Sequence, residues 1–178
     1  KLTTVGITGT NGKTTVSYLM QQLLEAARCK TGLIGTIEID DGQHRQPTKL
    51  TTPSAYTLSR TLRRMVDHGC QAVAMELSSH ALDQDRAAGL HLDLGIFTNL
   101  SGDHLDYHKD MESYARAKKK MFDALTADGH AAVNFGDNHG AFMVQDTPAK
   151  VTGFTIIDDA KSATDATVSA RWLNGHGS

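Results

Sequence analysis

The sequence predicts an α/β fold: a three-layer domain with a mostly parallel sheet flanked by helices. Two observations carry this. Short apolar, β-branched runs alternate along the chain with segments of helical period, the pattern of successive βαβ units, and parallel crossovers are right-handed, which stacks helices on a single sheet. A chain of 178 residues holds one sizeable core rather than two, so residues 1–178 are expected to form a single domain.

Strands are expected at Thr3–Thr8, Gly32–Ile39, Gln71–Glu76, Leu92–Thr98, Ala131–Asn134 and Val151–Ile157, with a last one at Ala166–Leu173. Helices are expected at Lys13–Ala27, Ser54–His68, Met111–Ala127 and His139–Gln145. In the first helix Val16, Leu19, Met20, Leu23, Leu24 and Ala27 recur at the spacing of one face, which should pack on the sheet. Asn174–Ser178 is turn material, so the sheet is expected to stop unfinished there.

With 39% hydrophobic and 21% charged residues, and only 3 Pro against 16 Gly, the composition is that of a soluble globular protein rather than a disordered or fibrous one. A net charge of −2 gives no basic excess for a nucleic-acid backbone. The apolar runs Val5–Ile7 and Leu94–Phe97 fall far short of the roughly 20 residues of a membrane span, and no signal-peptide core opens the chain. A cytoplasmic monomer that binds neither nucleic acid nor membrane is expected. Cys29 and Cys70 have neither the number nor the spacing of a disulfide framework or a zinc knuckle and read as structural thiols. The first residue is Lys1, and a strand pattern begins almost at once, so a piece of a longer protein is expected.

Gly6-Ile7-Thr8-Gly9-Thr10-Asn11-Gly12-Lys13-Thr14-Thr15 follows an apolar strand and opens an amphipathic helix, the setting of a phosphate loop. Glycines let backbone N–H groups turn inward on phosphates, the helix N-terminus adds partial positive charge, Lys13 reaches the outer phosphates, and the Thr14 hydroxyl can ligate Mg²⁺. The common pattern has a glycine five positions before Gly12; here that position is Ile7, with Gly6 and Gly9 on either side. An ATP or GTP site of P-loop type is favoured over an accidental glycine-rich turn.

The run GTNGKTT at Gly9 to Thr15 resembles the ATP loop of the Mur ligases, which add amino acids to the peptidoglycan precursor, and is similar to the loops of folylpolyglutamate and cyanophycin synthetases. Three further stretches resemble one branch of the Mur ligases, the one that adds the third residue of the stem peptide. They are LTTP at Leu50 to Pro53, MELSSHALDQDR at Met75 to Arg86, and FTNLSGDHLDYH at Phe97 to His108 followed by MESYARAKKKMF at Met111 to Phe122. These stretches follow the family's order, and beyond Asn134 the resemblance is weak. It implies the family's central ATPase domain and a reaction on UDP-N-acetylmuramoyl-L-alanyl-D-glutamate. In that reaction the γ-phosphate of ATP passes to the D-glutamate carboxylate, and a diamino acid attacks the acyl phosphate. Divalent metal and fixed cations must hold two anions together for this to happen.

Glu76 ends an apolar strand at the edge where open α/β sheets bind ligands, and position alone fits a solvated strand end as well as a ligand. The resemblance makes it a Mg²⁺ ligand alongside Thr14. The cluster Asp103-His104-Leu105-Asp106-Tyr107-His108 suits a transition-metal hydrolase on its chemistry; the resemblance makes His104 a ligand of a second Mg²⁺, with Asp103, Asp106 and His108 bonding the following turn. Lys118, Lys119 and Lys120 read by themselves as a solvated basic face. The resemblance picks out Lys118, the end of a Y-x-x-A-K pattern from Tyr114, as a lysine carbamylated by CO₂ into a metal-directed anion. Catalytic roles are thereby implied for Lys13, His104 and Lys118, and nucleotide contacts for Gly9, Thr10, Asn11, Gly12, Lys13, Thr14 and Thr15.

Before Pro53, Thr52 is restricted to extended backbone, and Thr52 or Ser54 reads as a helix cap. The resemblance makes Thr51, Thr52, Ser78, Gln84 and Arg86 contacts to the UDP-muramoyl-peptide, Arg86 gripping a carboxylate or phosphate, with Ser79 and His80 as supports. Ser78, Ser79 and His80 lack a strained G-x-S-x-G turn and are not read as a nucleophile and base. Trp172 and the four tyrosines form no stacking platform. Two other readings compete: a nucleotide-binding module without ligase chemistry, and a relative acting on folate or a polymer. The LTTP and MELSSHAL runs argue against both. Full-length family members carry a UDP-binding N-terminal and an amino-acid-selecting C-terminal domain; neither is expected within 1–178, nor is the later segment that helps hold adenine, so the domain is expected to be incomplete and inactive alone.

Overall fold

The computed structural model of the chain describes residues 1–102, 105–157 and 167–173. Strands β1 (Thr3–Thr8), β2 (Thr31–Ile34), β3 (Glu38–Asp40), β4 (Arg45–Pro47), β5 (Ala72–Glu76), β6 (Leu94–Phe97), β7 (His130–Asn134), β8 (Lys150–Ile157) and β9 (Thr167–Leu173) form one sheet in the order β4-β3-β2-β5-β1-β6-β7-β8-β9. The six strands from β2 to β8 in that order are mutually parallel. β3 and β4 at one edge and β9 at the other are antiparallel additions. Helices α1 (Lys13–Ala26), α2 (Ala55–Asp67), α3 (Ser79–Asp83), α4 (Leu105–His108), α5 (Met111–Asp123) and α6 (Gly140–Met143) complete the described elements.

Two separate apolar clusters confirm the three layers. Val5, Ile7, Leu33, Ala74 and Ile96 project to one face, where Val16 and Met20 of α1 cover them. Val73, Met75 and Phe97 project to the other, against Leu58 and Met65 of α2 and Met121 and Phe122 of α5. Because β5 is covered on both faces, all five of its residues are buried, and it reads as a continuous apolar run rather than an alternating one. Ser54 caps α2 by accepting from the Thr57 N–H, and Asp110 caps α5 by accepting from the Ser113 N–H. The cap before α2 is therefore Ser54, not Thr52.

Four expectations are corrected. The single strand expected over Gly32–Ile39 is two antiparallel strands, β2 and β3, because the Thr36 N–H leaves the ladder to bond the Glu76 carboxylate at 2.8 Å. The chain then turns again at Asp41–His44 into β4, which the sequence reading lacked, as it lacked α3 and α4. α5 stops at Asp123 rather than Ala127, and α6 is a single turn. Finally, α1 packs only part of its apolar stripe: Val16 and Met20 lie on the sheet, but Leu19 and Leu23 are exposed, while Ser17 and Gln21 are its buried residues. Gln21 lies over the sheet edge, its amide donating to Thr31 O and Asp40 Oδ2 at 3.0 Å each. A bonded amide at that edge turns the helix off its hydrophobic axis.

Candidate functional site

The loop between β1 and α1 is shaped by two glycines with positive φ, Gly9 at 150° and Gly12 at 84°. Any side chain at Gly9 would meet the Thr98 hydroxyl at 1.9 Å. The segment after β6 braces the loop: Thr10 N–H donates to Asn99 O at 2.8 Å, Asn11 N–H to Asn99 Oδ1 at 2.9 Å, and the Thr98 hydroxyl to Asn11 O at 2.7 Å. Ile7, at the position of the usual first glycine, is instead wholly buried core. Gly12, the N-cap of α1, offers no side-chain cap, and the first turn of a helix is a favourable place for an anion.

Lys13 folds back over this loop, Nζ donating to Gly9 O and Thr10 O at 2.9 Å each. Lys118 reaches the same place from α5, its Nζ donating to Gly9 O at 2.9 Å and lying 4.5 Å from the Tyr114 ring centroid. Two lysine nitrogens thus meet at one loop carbonyl. The solvated-face reading is overturned for Lys118 and Lys119, while Lys120 is exposed. Lys118 is only 1% exposed; Lys119 is buried and pairs with Asp123 and Asp146; Lys120 pairs with Asp83 and Asp85. Burial first draws the Lys119 ammonium down, but its two carboxylate partners outweigh that and hold it above the ordinary lysine value.

Glu76 ends β5 next to the loop, fully buried. The Thr14 hydroxyl lies 3.0 and 3.1 Å from its two oxygens, and the Thr36 hydroxyl 3.0 Å from Oε2. Among the described residues its bonded partners are these hydroxyls and one N–H, with no cation. A buried carboxylate next to a hydroxyl at a phosphate loop is the oxygen donor set a Mg²⁺ ion takes. The tertiary fold brings Thr14 and Glu76 together as a pair. His104 lies outside the described residues, and Asp103 with it.

The residues from LTTP and MELSSHALDQDR meet on the far side of Glu76. The Thr52 hydroxyl, buried, donates to Glu76 O at 2.8 Å and accepts from the Ser78 N–H at 3.1 Å, so it splices the two segments. Ser78 caps α3 by accepting from the Ala81 N–H at 3.2 Å. Thr51 Oγ1 lies 3.0 Å from Thr36 Oγ1. The Arg86 guanidinium donates to Thr52 O at 2.9 Å and to Gln84 Oε1, and the Gln84 amide donates to Tyr107 OH at 3.3 Å. Of the neighbours held as supports, Ser79 is buried, and His80 stacks on Tyr107 with ring centroids 4.0 Å apart. His108 is buried against Tyr114.

Thr36, Asn99 and the Tyr114 hydroxyl, 3.1 Å from Thr10 Oγ1, were not singled out for any role by the sequence. Thr36 carried no signal, because the sequence places it inside the strand expected over Gly32–Ile39, whereas β2 ends at Ile34. For Asn99 and Tyr114 the signal is only their place in motifs read for other residues.

The chain matches the family model for the Mur ligase middle domain over residues 7–174. It is 47% identical over 157 residues to the UDP-N-acetylmuramoyl-L-alanyl-D-glutamate–2,6-diaminopimelate ligase of Parabacteroides distasonis, covering 88% of this chain and 32% of that protein. The ligase of the same name from Bacillus cereus is 44% identical over 162 residues, covering 88% of the chain and 33% of that protein. A solved structure of a ligase of that name superposes with a TM-score of 0.78 at 29% identity, over 95% of this chain and 37% of that one. The fold of a folylpolyglutamate synthase from Mycobacterium tuberculosis, solved with ADP and AMPPCP, is also similar, with a TM-score of 0.61 at 17% identity over 88% of this chain and 44% of that one. The chain spans about a third of the length of the curated relatives it matches.

Proposed function

The chain belongs to the Mur ligase middle-domain family, and from that premise we propose that it is the MgATP-binding part of a ligase that joins a diamino acid to UDP-N-acetylmuramoyl-L-alanyl-D-glutamate. The relatives named for this reaction support the reading. The observation that carries it is the glycine-shaped loop with Lys13 folded on its carbonyls next to the Thr14–Glu76 pair. UDP binding and the choice of incoming amine are assigned to parts of such a ligase outside residues 1–178, so the chain alone binds nucleotide without completing the reaction.

In this proposal the uncapped N-terminus of α1 and Lys13 hold the β- and γ-phosphates, and Lys13 exchanges its loop carbonyls for phosphate oxygens. Thr14 and Glu76 hold Mg²⁺, which when bound offsets the charge of the triphosphate against an incoming carboxylate. Arg86, kept flat against Gln84 and Thr52 O, presents a pre-oriented guanidinium to the anionic peptide substrate. Thr51, Ser78 and Gln84 line the same side; the enclosed Thr52 hydroxyl leaves its backbone to contribute. Lys118 is proposed as a carbamate: its neutral amine adds to CO₂ and loses a proton, exchanging a cation for an anion beside the loop. His104 stays in the proposal as a ligand of a second Mg²⁺ on the resemblance alone.

The experiment is titration of the chain with ATP at saturating and zero Mg²⁺, together with ADP release by a longer ligase containing it. Lys13→Ala weakens binding under both conditions, whereas Thr14→Ala removes mainly the Mg²⁺-dependent part. Unchanged affinity in both variants would refute the loop assignment. ADP release that ignores UDP-N-acetylmuramoyl-L-alanyl-D-glutamate would leave only a nucleotide-binding module.

A further inference from the structure

At the opposite end of the sheet from the phosphate loop, one turn of chain and one helix end bring an aspartate and two histidines together. β3 runs antiparallel to β2, with Asp40 opposite Leu33, so the Asp41–His44 turn that follows β3 lies at the edge remote from Gly9 and Lys13. His68, the C-cap of α2, packs against this turn. Its Nδ1 is 3.1 Å from Asp41 Oδ1, His44 Nδ1 is 3.6 Å from the same oxygen, and one ligand atom from each of the three residues lies within 4.8 Å of the others.

We propose that Asp41, His44 and His68 form a second metal site, for a borderline divalent cation such as Zn²⁺ and separate from the nucleotide site. The spacing fits. With Zn–N and Zn–O bonds of about 2.0–2.2 Å, the ligands of a tetrahedral ion stand roughly 3.3–3.5 Å apart; the two separations from Asp41 Oδ1 bracket that range, and the two histidine nitrogens lie within 4.8 Å of each other. Two imidazoles and one carboxylate favour Zn²⁺ over Mg²⁺, which prefers an all-oxygen octahedron.

The anionic ligand is already oriented. Asp41 is 3% exposed, and its Oδ1 accepts from the N–H groups of Gln43 at 3.2 Å and His44 at 2.9 Å, the kind of outer-shell support that fixes a metal-bound carboxylate. Arg64 Nε stands 3.8 Å from the other oxygen, Oδ2. The His44 side chain is largely exposed, so the ion has a path in, and a water can take the fourth position. A proton now bridges His68 and Asp41 O or Oδ1, and the cation replaces it at Nδ1. Once bound, the ion ties the β3–β4 hairpin to the end of α2, stabilising the folded chain by mass action.

Calorimetric titration of the chain with ZnCl₂ in saturating Mg²⁺, which keeps the Thr14–Glu76 region occupied, tests this. Wild type should bind one Zn²⁺ per chain. His44→Ala, at an exposed position that leaves folding intact, and His68→Ala should each weaken binding by more than about tenfold, the least that loss of a ligand costs when loss of an outer-shell partner already costs that much. His130→Ala, an exposed histidine elsewhere, should bind as wild type does. Co²⁺ should give visible d–d bands in wild type that His44→Ala loses. No Zn²⁺ binding by wild type, or undiminished binding by both His44→Ala and His68→Ala, overturns the site. Nucleotide binding is measured separately, so either outcome leaves the proposed ligase role untouched.

Discussion

Gly9 shows how little freedom the nucleotide site has at the level of single residues. Its φ of 150° and the 1.9 Å approach of the Thr98 hydroxyl to any Cβ there combine a backbone penalty with a steric one. Gly9→Ala should cost roughly 1–3 kcal/mol of stability, the range for a residue forced into a sparsely populated conformation. It should also displace Gly9 O, on which Lys13 and Lys118 both converge, and so weaken ATP binding by more than the lost stability accounts for. Denaturant unfolding and nucleotide titration of the same variant separate the two effects. Glu76 makes the complementary case. Its carboxylate accepts from Thr14 and Thr36, so Glu76→Ala strands those donors, whereas Glu76→Gln keeps most of the shape and removes the charge. Glu76→Gln should therefore fold and yet lose the Mg²⁺ dependence of nucleotide binding, a difference that titration with and without Mg²⁺ reads directly.

Among the elements, α1 carries the clearest disagreement between pattern and packing. Its apolar spacing is genuine, but Leu23 is 64% exposed, while Gln21 is buried and bonds Thr31 O and the Asp40 carboxylate. Leu23→Gln should change unfolding free energy by less than about 0.5 kcal/mol, as surface substitutions do. Gln21→Ala should cost about 1–3 kcal/mol, because the buried Thr31 carbonyl loses its amide donor, while Asp40 keeps Arg45. Urea denaturation of the two variants decides which face the helix buries, and the reverse order of effects would restore the face expected from periodicity. The β2–β3 reversal has the same origin. The Thr36 N–H that would have extended a strand instead bonds Glu76, forty positions further along the chain.

At the scale of the whole molecule, Asp93 ties the start of β6 to β1 and to the first residue, accepting from the Thr4 N–H at 2.8 Å and from Lys1 Nζ at 3.0 Å. Burial pulls its carboxyl upward, but the bonds from Thr4 and Lys1 outweigh burial and leave it below the ordinary value of 3.8. Its folded value thus lies below its unfolded one, so the stabilisation is complete above the unfolded value and is lost as pH falls through the folded one. Asp93→Asn should cost roughly 1–3 kcal/mol at neutral pH, as loss of a bond to a charged acceptor does. The gap from wild type should close below about pH 4, and a gap constant down to the acid transition would contradict it. The mostly parallel sheet, the layering and the phosphate loop were legible from the sequence because they rest on local rules: strand and helix periods, glycine at a positive-φ turn, a lysine one step into a helix. Family motifs further marked Glu76, Lys118 and Arg86 without saying how they meet. What only the tertiary structure decided is set by groups far apart in sequence: the reversal at Thr36, the turned face of α1, the burial of Lys118 among three lysines that look solvated, and the meeting of Asp41 with His68. Periodicity reports which side chains avoid water. It cannot report which distant donor satisfies a buried carbonyl or carboxylate, because that depends on where the completed sheet places it.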